Sequence, residues 1–512
     1  MVLWNTVWLV ALALPAAVLG TPFLALAGQR EGRRQSLLAT ASTISSFVSS
    51  PSQWIYQPLD HFDPTNRQTL RQKYYVNNQF YQPGGPVWFY IGGESALTAE
   101  LAISALDLHY VMAQQTNGMI VALEHRFYGD SNPYYDYSIA NLKYLSSEQA
   151  IEDAAAFAKN FTASNNLPAC TKWIAVGGSY AGNLAAWSRE LHPDVFWAAH
   201  SSSAPLTSKL DFWEFSYGVR LGIPLIDGGS QTCADNLVRV TSLFDQAIQK
   251  DPNATRQYLG FGDVLLNGDI AGFLPGSSLA GSVQYGPVGQ SFNGSATQID
   301  AVCSGKFFPS FANPNSTNEE LWTDLKKYMF AVLKINGVAP NNNNDLVNIQ
   351  TGVLHNLAIP ARLWYWQLCT EFGNFLNAEH VDVPIYSKTL NPDYQQQVCS
   401  IIFDNAHSVP DTTKTNGLYK ATDIGTDRIV FVNGAIDPWH WLGIYNRTST
   451  EAQPVFYHDQ FHCDDLYIPL PSDTPTLRQV KLDIQATWLS IIKNDTCPSE
   501  VNKPYKCVPI RN

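Results

Sequence analysis

Several apolar runs punctuate the chain, and their texture sets the first expectation. Pro86–Ile91 (P-V-W-F-Y-I), Gly118–Glu124 (G-M-I-V-A-L-E), Trp173–Val176 (W-I-A-V) and Val195–Ser201 (V-F-W-A-A-H-S) are continuous. Runs of that kind mark strands buried on both faces. Leu70–Asn77 (L-R-Q-K-Y-Y-V-N) alternates instead, as an outer strand does. Ser146 with Gln149 forms a capping-box pair that opens a helix reaching about Asn160. A further helix starts after Ser179 and stops before Pro193. Strands alternating with helices predict an α/β protein with a doubly wound, mostly parallel sheet.

The rhythm then breaks. Leu206–Thr426 is rich in Asn, Gly and aromatics, with helical pieces such as Glu319–Ile335. It returns at Arg428–Val432 (R-I-V-F-V) and Pro454–Tyr457 (P-V-F-Y). A last helix aligns Leu477, Val480, Ile484, Trp488 and Ile491 on one face, at steps of 3, 4, 4 and 3. The expected organisation is one sheet built from residues 51–205 and 427–512, with a domain-sized insertion at 206–426.

The segment Trp173–Pro193 carries the candidate chemistry. An apolar run, a turn of small residues centred on Ser179 and a helix form the strand–turn–helix context of a nucleophile elbow. Strand and helix approach closely there, so the flanking residues must be small. Gly177 and Ala181 flank Ser179, one methyl away from G-x-S-x-G, and Gly182 follows.

A serine needs a base to take its proton and a carboxylate to orient that base. In an elbow fold the partners follow in the order Ser, acid, His, each on a loop after a later strand. Asp437 follows the first returning strand and His462 the next, which makes them orienting acid and general base. His440 and His458 compete for the base, and Asp464 and Asp465 for the acid. His440 is too close in sequence to Asp437, His458 is still on its strand, and both aspartates follow the base. The oxyanion hole is expected from the backbone N–H of Tyr180 and a second N–H at Gly93 or Glu94, in the loop after Ile91. Glu94 could instead bind a substrate amine or pair with Arg126.

Composition changes the picture in two ways. The 512 residues are 45% apolar and 15% charged, as in globular proteins, and a net charge of −12 without a basic run argues against nucleic acid. The short apolar stretch Val7–Gly20 reads as a secretory signal peptide (1–20), although no Lys or Arg precedes it. Residues 21–50 read as a pro-segment or disordered N-terminus, with Arg33-Arg34 as a processing site. No later stretch reads as a membrane span.

Sequons at Asn160, Asn253, Asn293, Asn315, Asn446 and Asn494 fit a secreted glycoprotein, which points to a secreted, vacuolar or lysosomal location. The eight cysteines show neither C-x-x-C nor a Cys/His metal spacing, so disulfides are expected, and no metal or cofactor. Cys497–Cys507 is expected from proximity. Cys170 opens the elbow strand and Cys463 sits beside the base at the sheet's other end. A strand of about seven residues spans roughly 23 Å, far beyond the roughly 7 Å limit between bridged Cα atoms, so these two are not expected to pair.

The motifs now on the page carry a resemblance. They include Leu59-Asp60-His61-Phe62, Tyr90-Ile91-Gly92-Gly93-Glu94, Leu123-Glu124-His125-Arg126-Phe127-Tyr128-Gly129 and Tyr144-Leu145-Ser146-Ser147-Glu148-Gln149-Ala150. Gly177–Gly182, Ser203-Ala204-Pro205, Asn433-Gly434 with Asp437-Pro438-Trp439, and His462-Cys463 complete the set. On these the chain resembles the serine peptidase family of lysosomal Pro-Xaa carboxypeptidase and dipeptidyl peptidase II, especially its secreted fungal prolyl peptidases.

The resemblance implies an α/β-hydrolase core with a large, mainly helical cap insertion, and cleavage on the carboxyl side of proline in peptide or protein substrates. It carries the family's catalytic Ser, Asp and His onto Ser179, Asp437 and His462. It implies Cys233–Cys303 and Cys369–Cys399 as cap bridges. It places Trp439, two residues beyond Asp437, in the proline pocket, and Glu371 of Cys369-Thr370-Glu371 as a substrate contact. Asn183 stands near the pocket where some relatives carry an apolar residue. An acid serine carboxypeptidase of the other α/β-hydrolase lineage shares S-Y-A-G, but Gly178 stands where its glutamate precedes the serine. A lipase-like esterase lacks support from any lid signal, and a catalytically inactive binding protein would not need an intact triad.

Overall fold

The structure is a computed structural model. It describes residues 50–494 except 135, 262–266, 287–290, 293–295, 336–358 and 404–406. The expected signal peptide and pro-segment therefore lie outside the described residues, as do Asn293 and the expected Cys497–Cys507 bridge.

Eight strands form one sheet: β1 (Gln53–Pro58), β2 (Thr69–Asn77), β3 (Val87–Ile91), β4 (Met119–Leu123), β5 (Trp173–Gly178), β6 (Phe196–Ser202), β7 (Ile429–Gly434) and β8 (Val455–His458). Their spatial order is β1-β2-β4-β3-β5-β6-β7-β8. β1 and β2 run antiparallel to their neighbours, and all other pairs are parallel. This is the α/β-hydrolase fold. Leu70–Asn77 does form a strand, but it is second in the sheet. The edge is β1, too polar and too interrupted to announce itself, with Tyr56 70% exposed.

Burial explains why the central runs are continuous. Every residue of β3, β4, β5, β6 and β7 is buried. On one face Phe89 stacks between Phe157 and Phe196, with centroids 5.6 and 5.9 Å away. On the other, Trp88 meets Trp488 of the C-terminal helix edge-on at 5.3 Å. Successive residues of one strand thus enter opposite layers.

The helices that position the site are α1 (Leu108–Gln115), α2 (Ser147–Ser164), α3 (Tyr180–Leu191) and α4 (Pro475–Asn494). Ser146 caps α2, its Oγ accepting the Gln149 N–H at 3.2 Å. The other half of the capping box is absent, because the Gln149 amide is engaged by Asp60 and His61.

The chain divides into two compact units. One holds the sheet and comprises, among described residues, 50–208, 411–435 and 439–494. The other comprises 209–410 with Ile436–Pro438. Among the described residues its longest helices are Gln231–Lys250 and Asn318–Ile335. It contains the disulfides Cys233–Cys303 and Cys369–Cys399, with Cα atoms 5.4 and 5.8 Å apart. Glu371, half-buried, lies in this unit, in the turn Leu368–Phe372.

Candidate active site

Ser179 joins β5 to α3 with φ 61° and ψ −134°, a conformation that L-residues avoid. Such strain costs about 1–3 kcal/mol and persists only where the surroundings impose it. Here its N–H donates to the carbonyl of Ser202 at 2.9 Å, tying the turn to the end of β6. Gly178 and Tyr180 on either side are buried, while Ser179 itself keeps partial exposure. The strain thus lifts one hydroxyl out of a buried strand end.

The small residues have separate duties. A Cβ on Gly177 would stand 2.0 Å from the Ala181 carbonyl oxygen. A Cβ on Gly182 would stand 2.7 Å from the Ser202 carbonyl oxygen. The tight approaches therefore fall at 177 and 182, which is why alanine is tolerated at 181. Gly93, in the loop after β3, lies against the first turn of α3: its added Cβ would come 3.3 Å from that of Ala181. The loop expected to supply the second oxyanion donor thus flanks the helix whose first residue, Tyr180, is expected to supply the other. N–H groups of a first helical turn lie outside the intrahelical ladder.

β5, β6, β7 and β8 are parallel neighbours, so the loops after them leave the same edge of the sheet. Register pairs Gly178 with Ser202, Ser202 with Val432, and Gly434 with His458. Asp437 lies three residues beyond β7 and His462 four beyond β8, and both are buried. Cys463, at φ 60°, turns the His462 loop, and its N–H donates to Ser203 Oγ at 2.9 Å.

The competing histidines have other partners. His458 Nδ1 accepts the Gln460 N–H at 3.2 Å. His440 packs among Trp441, Tyr445 and Tyr457, with centroids 4.6, 4.7 and 5.8 Å away. Asp465 is held by Ser202 and His200, and Asp464 Oδ2 accepts the Phe461 N–H at 3.4 Å.

Sequence reading missed His125. Its Nδ1 meets the Arg126 carbonyl at 2.7 Å and its Nε2 the Tyr180 hydroxyl at 2.9 Å. Nδ1 therefore carries the proton, and Nε2 accepts from the tyrosine. Burial pushes its pKa down to about 4, so the ring is neutral under ordinary conditions. It fixes the side chain of Tyr180, the residue after Ser179.

Other quoted motifs converge on a buried node. Arg126 Nε and Nη2 each reach Asp153 at 2.7 Å, and Nη1 donates to the carbonyls of Leu59 and Tyr144 at 2.9 Å. His61 Nε2 meets Asp153 Oδ1 at 2.7 Å. Burial raises the Asp153 pKa, but Arg126 and His61 outweigh it and hold the carboxyl below its usual range. Arg126 is thus paired with Asp153, and the alternative Glu94–Arg126 pair does not form. Glu124 accepts the N–H groups of Leu97, Asp130 and Ser131 and the Lys73 ammonium, bracing the loop after β4.

Asn183 Nδ2 donates to the Pro205 carbonyl at 2.9 Å, fastening α3 to the loop after β6. Trp439 is buried in the short helix Pro438–Leu442. Asn160, Asn253, Asn315 and Asn446 are exposed. No helix among the described residues is long and apolar enough to cross a membrane.

A family model described as serine carboxypeptidase S28 matches residues 57–484. The thymus-specific serine protease of Mus musculus is 30% identical over 458 residues, 86% of this chain and 88% of its own. Serine protease vicPb of Bipolaris victoriae is 28% identical over 459 residues, covering 80% and 83%. A protein of Arthroderma benhamiae named "Probable extracellular serine carboxypeptidase" is 27% identical over 499 residues, covering 86% and 67%.

Proposed function

Given that the chain belongs to the serine carboxypeptidase S28 family and is a serine peptidase of that family, we propose that it hydrolyses peptide bonds on the carboxyl side of proline. Ser179 is the nucleophile, His462 the general base and Asp437 the acid that orients it. The observation that carries this reading is the backbone of Ser179: φ 61° between β5 and α3, anchored on Ser202.

The steps follow from these roles. His462 takes the hydroxyl proton as Ser179 Oγ attacks the scissile carbonyl. The carbonyl oxygen gains charge and is stabilised by the N–H of Tyr180 and an N–H at Gly93 or Glu94. His462 returns the proton to the leaving amine, giving an acyl-enzyme. Water, activated by the same imidazole, releases the acid product. Trp439 and Asn183 line the proline pocket. Two disulfides, exposed sequons and the Arthroderma relative's name support a secreted or vacuolar/lysosomal protein.

The test compares matched peptides with Pro, Ala or Leu before the scissile bond, each with free and blocked ends. A higher kcat/KM for Pro is expected, and the blocked ends report exo- or endopeptidase mode. Equal values for Pro and Leu would remove the proline claim. Failure of a fluorophosphonate to label Ser179 would favour an inactive binding protein.

A further inference from the structure

Beneath the elbow lies a buried polar network that the reaction just described does not use. Asp465 is fully buried, in the short helix Asp464–Leu466 that follows His462. Ser202 Oγ donates to its Oδ1 at 2.5 Å, and His200 Nε2 to its Oδ2 at 2.9 Å. Trp488 Nε1 of α4 donates to His200 Nδ1 at 3.2 Å, which fixes the tautomer: Nε2 carries the proton. All four side chains are buried.

The connections are what matter. The Ser202 carbonyl holds the Ser179 N–H, and its hydroxyl reaches Asp465. The next residue, Ser203, holds the Cys463 N–H through Oγ. Nucleophile elbow and base loop are therefore fastened to the same dipeptide, from opposite sides. Two of the loop's residues make the fastening, Cys463 through backbone and Asp465 through side chain. The Leu466 N–H donates to the Cys463 carbonyl at 3.3 Å, so the pair forms one closed turn with His462 at its start.

We propose that Asp465 is a positioning residue for the peptidase reaction: its carboxylate locks the base loop onto β6 and so sets where His462 stands relative to Ser179. The proposal rests on the reading of Ser179 and His462 as nucleophile and base. A displacement of about 1 Å in such a pair costs roughly a hundredfold in rate. Burial raises the Asp465 pKa, but His200, His458 and Ser202 outweigh it, so the group stays a charged acceptor able to hold both donors. Asp465→Ala leaves the Ser202 hydroxyl and His200 Nε2–H facing a void. Asp465→Asn can keep both links, with Oδ1 accepting from His200 and Nδ2 donating to Ser202 Oγ.

The experiment measures kcat, KM, the rate of fluorophosphonate labelling and Tm for Asp465→Ala, Asp465→Asn and Ser202→Ala, beside Ser179→Ala and His462→Ala. Asp465→Ala is expected to lower kcat and labelling rate about a hundredfold with KM within twofold. Asp465→Asn is expected to recover kcat to within about tenfold of wild type. If Asp465→Ala does not fold, Ser202→Ala, which removes one link, is expected to lower kcat with KM held. A lowered Tm with kcat per labelled site unchanged, in whichever variant folds, overturns the proposal. Retained turnover in Ser179→Ala or His462→Ala would instead overturn the reading beneath it.

Discussion

The Tyr180 hydroxyl and His125 Nε2 lie 2.9 Å apart, joining the residue after the nucleophile to the loop after β4. Burial holds His125 near pKa 4 in the folded chain against an ordinary 6.5. Between those values the unfolded chain binds a proton that the folded chain refuses. Stability from this residue is therefore complete above pH 6.5 and is lost as pH falls toward 4, by about 3 kcal/mol in all. Denaturant titrations from pH 7 to 4 should show that loss, and His125→Asn, which cannot titrate, should flatten it. Parallel pH profiles for the two proteins would refute the assignment.

Gly182→Ala should damage both stability and turnover, because its Cβ would meet the same Ser202 carbonyl that anchors Ser179. Neither partner is a flexible side-chain end, so about 1–3 kcal/mol of overpacking is expected. Ala181→Gly restores the usual G-x-S-x-G pattern and should lose only about 0.5–1 kcal/mol of helix propensity, with kcat preserved. Thermal melts and kinetics of the two variants separate these outcomes. Equal effects would mean that 182 is not the close approach.

Much of the sheet was legible because its central strands are buried on both faces and so read as unbroken apolar runs. β1 was not, since an edge strand needs no such run: Gln53–Pro58 mixes exposed and buried residues. The elbow was legible from three local features: a strand, small residues and a helix. His125, Ser202, Ser203 and Asp465 were not. Their roles depend on hydrogen bonds between residues 55 and 263 positions apart, which no local pattern encodes. Of the Arg126–Asp153–His61 node, Arg126 and His61 were visible only as parts of family motifs and Asp153 not at all; the structure shows Arg126 tying the carbonyls of Leu59 and Tyr144 ahead of α2.

The triad assignment predicts a hierarchy. Ser179→Ala and His462→Ala should each lower kcat by about 10⁴ to 10⁶ while leaving a folded protein. His458→Ala should lose far less, because His458 Nδ1 already accepts a backbone N–H. Turnover and circular dichroism on the three variants decide it. Abolished turnover in His458→Ala alone would move the base to that residue.

The cysteine pattern gives a covalent prediction. Cys170 is disulfide-bonded, four cysteines of the helical unit pair among themselves, and Cys463 is reduced and buried. Non-reducing peptide mapping should recover Cys233–Cys303 and Cys369–Cys399 and find Cys170 in a disulfide, with Cys463 alkylated only after unfolding. A Cys170–Cys463 peptide would refute this.

Trp439 offers the sharpest test of specificity. Pro438 restricts Asp437 to extended backbone, which helps to fix where the following indole points. Trp439 is 3% exposed, at the start of a short helix two residues beyond the acid. A compact, rigid pyrrolidine ring packs on a flat aromatic wall with little loss of substrate entropy. Burial of that degree also fits plain packing beneath the loop, and the two roles differ in what truncation changes. If the indole is the pocket wall, Trp439→Ala lowers kcat/KM for Pro peptides by about tenfold or more and leaves Ala peptides nearly unchanged, so the preference collapses. If it is packing, Tm falls by the several degrees expected for an aromatic-to-alanine cavity and the Pro-to-Ala ratio survives. Measuring both ratios and Tm on one preparation distinguishes the two, and an intact ratio with a lowered Tm removes Trp439 from the pocket.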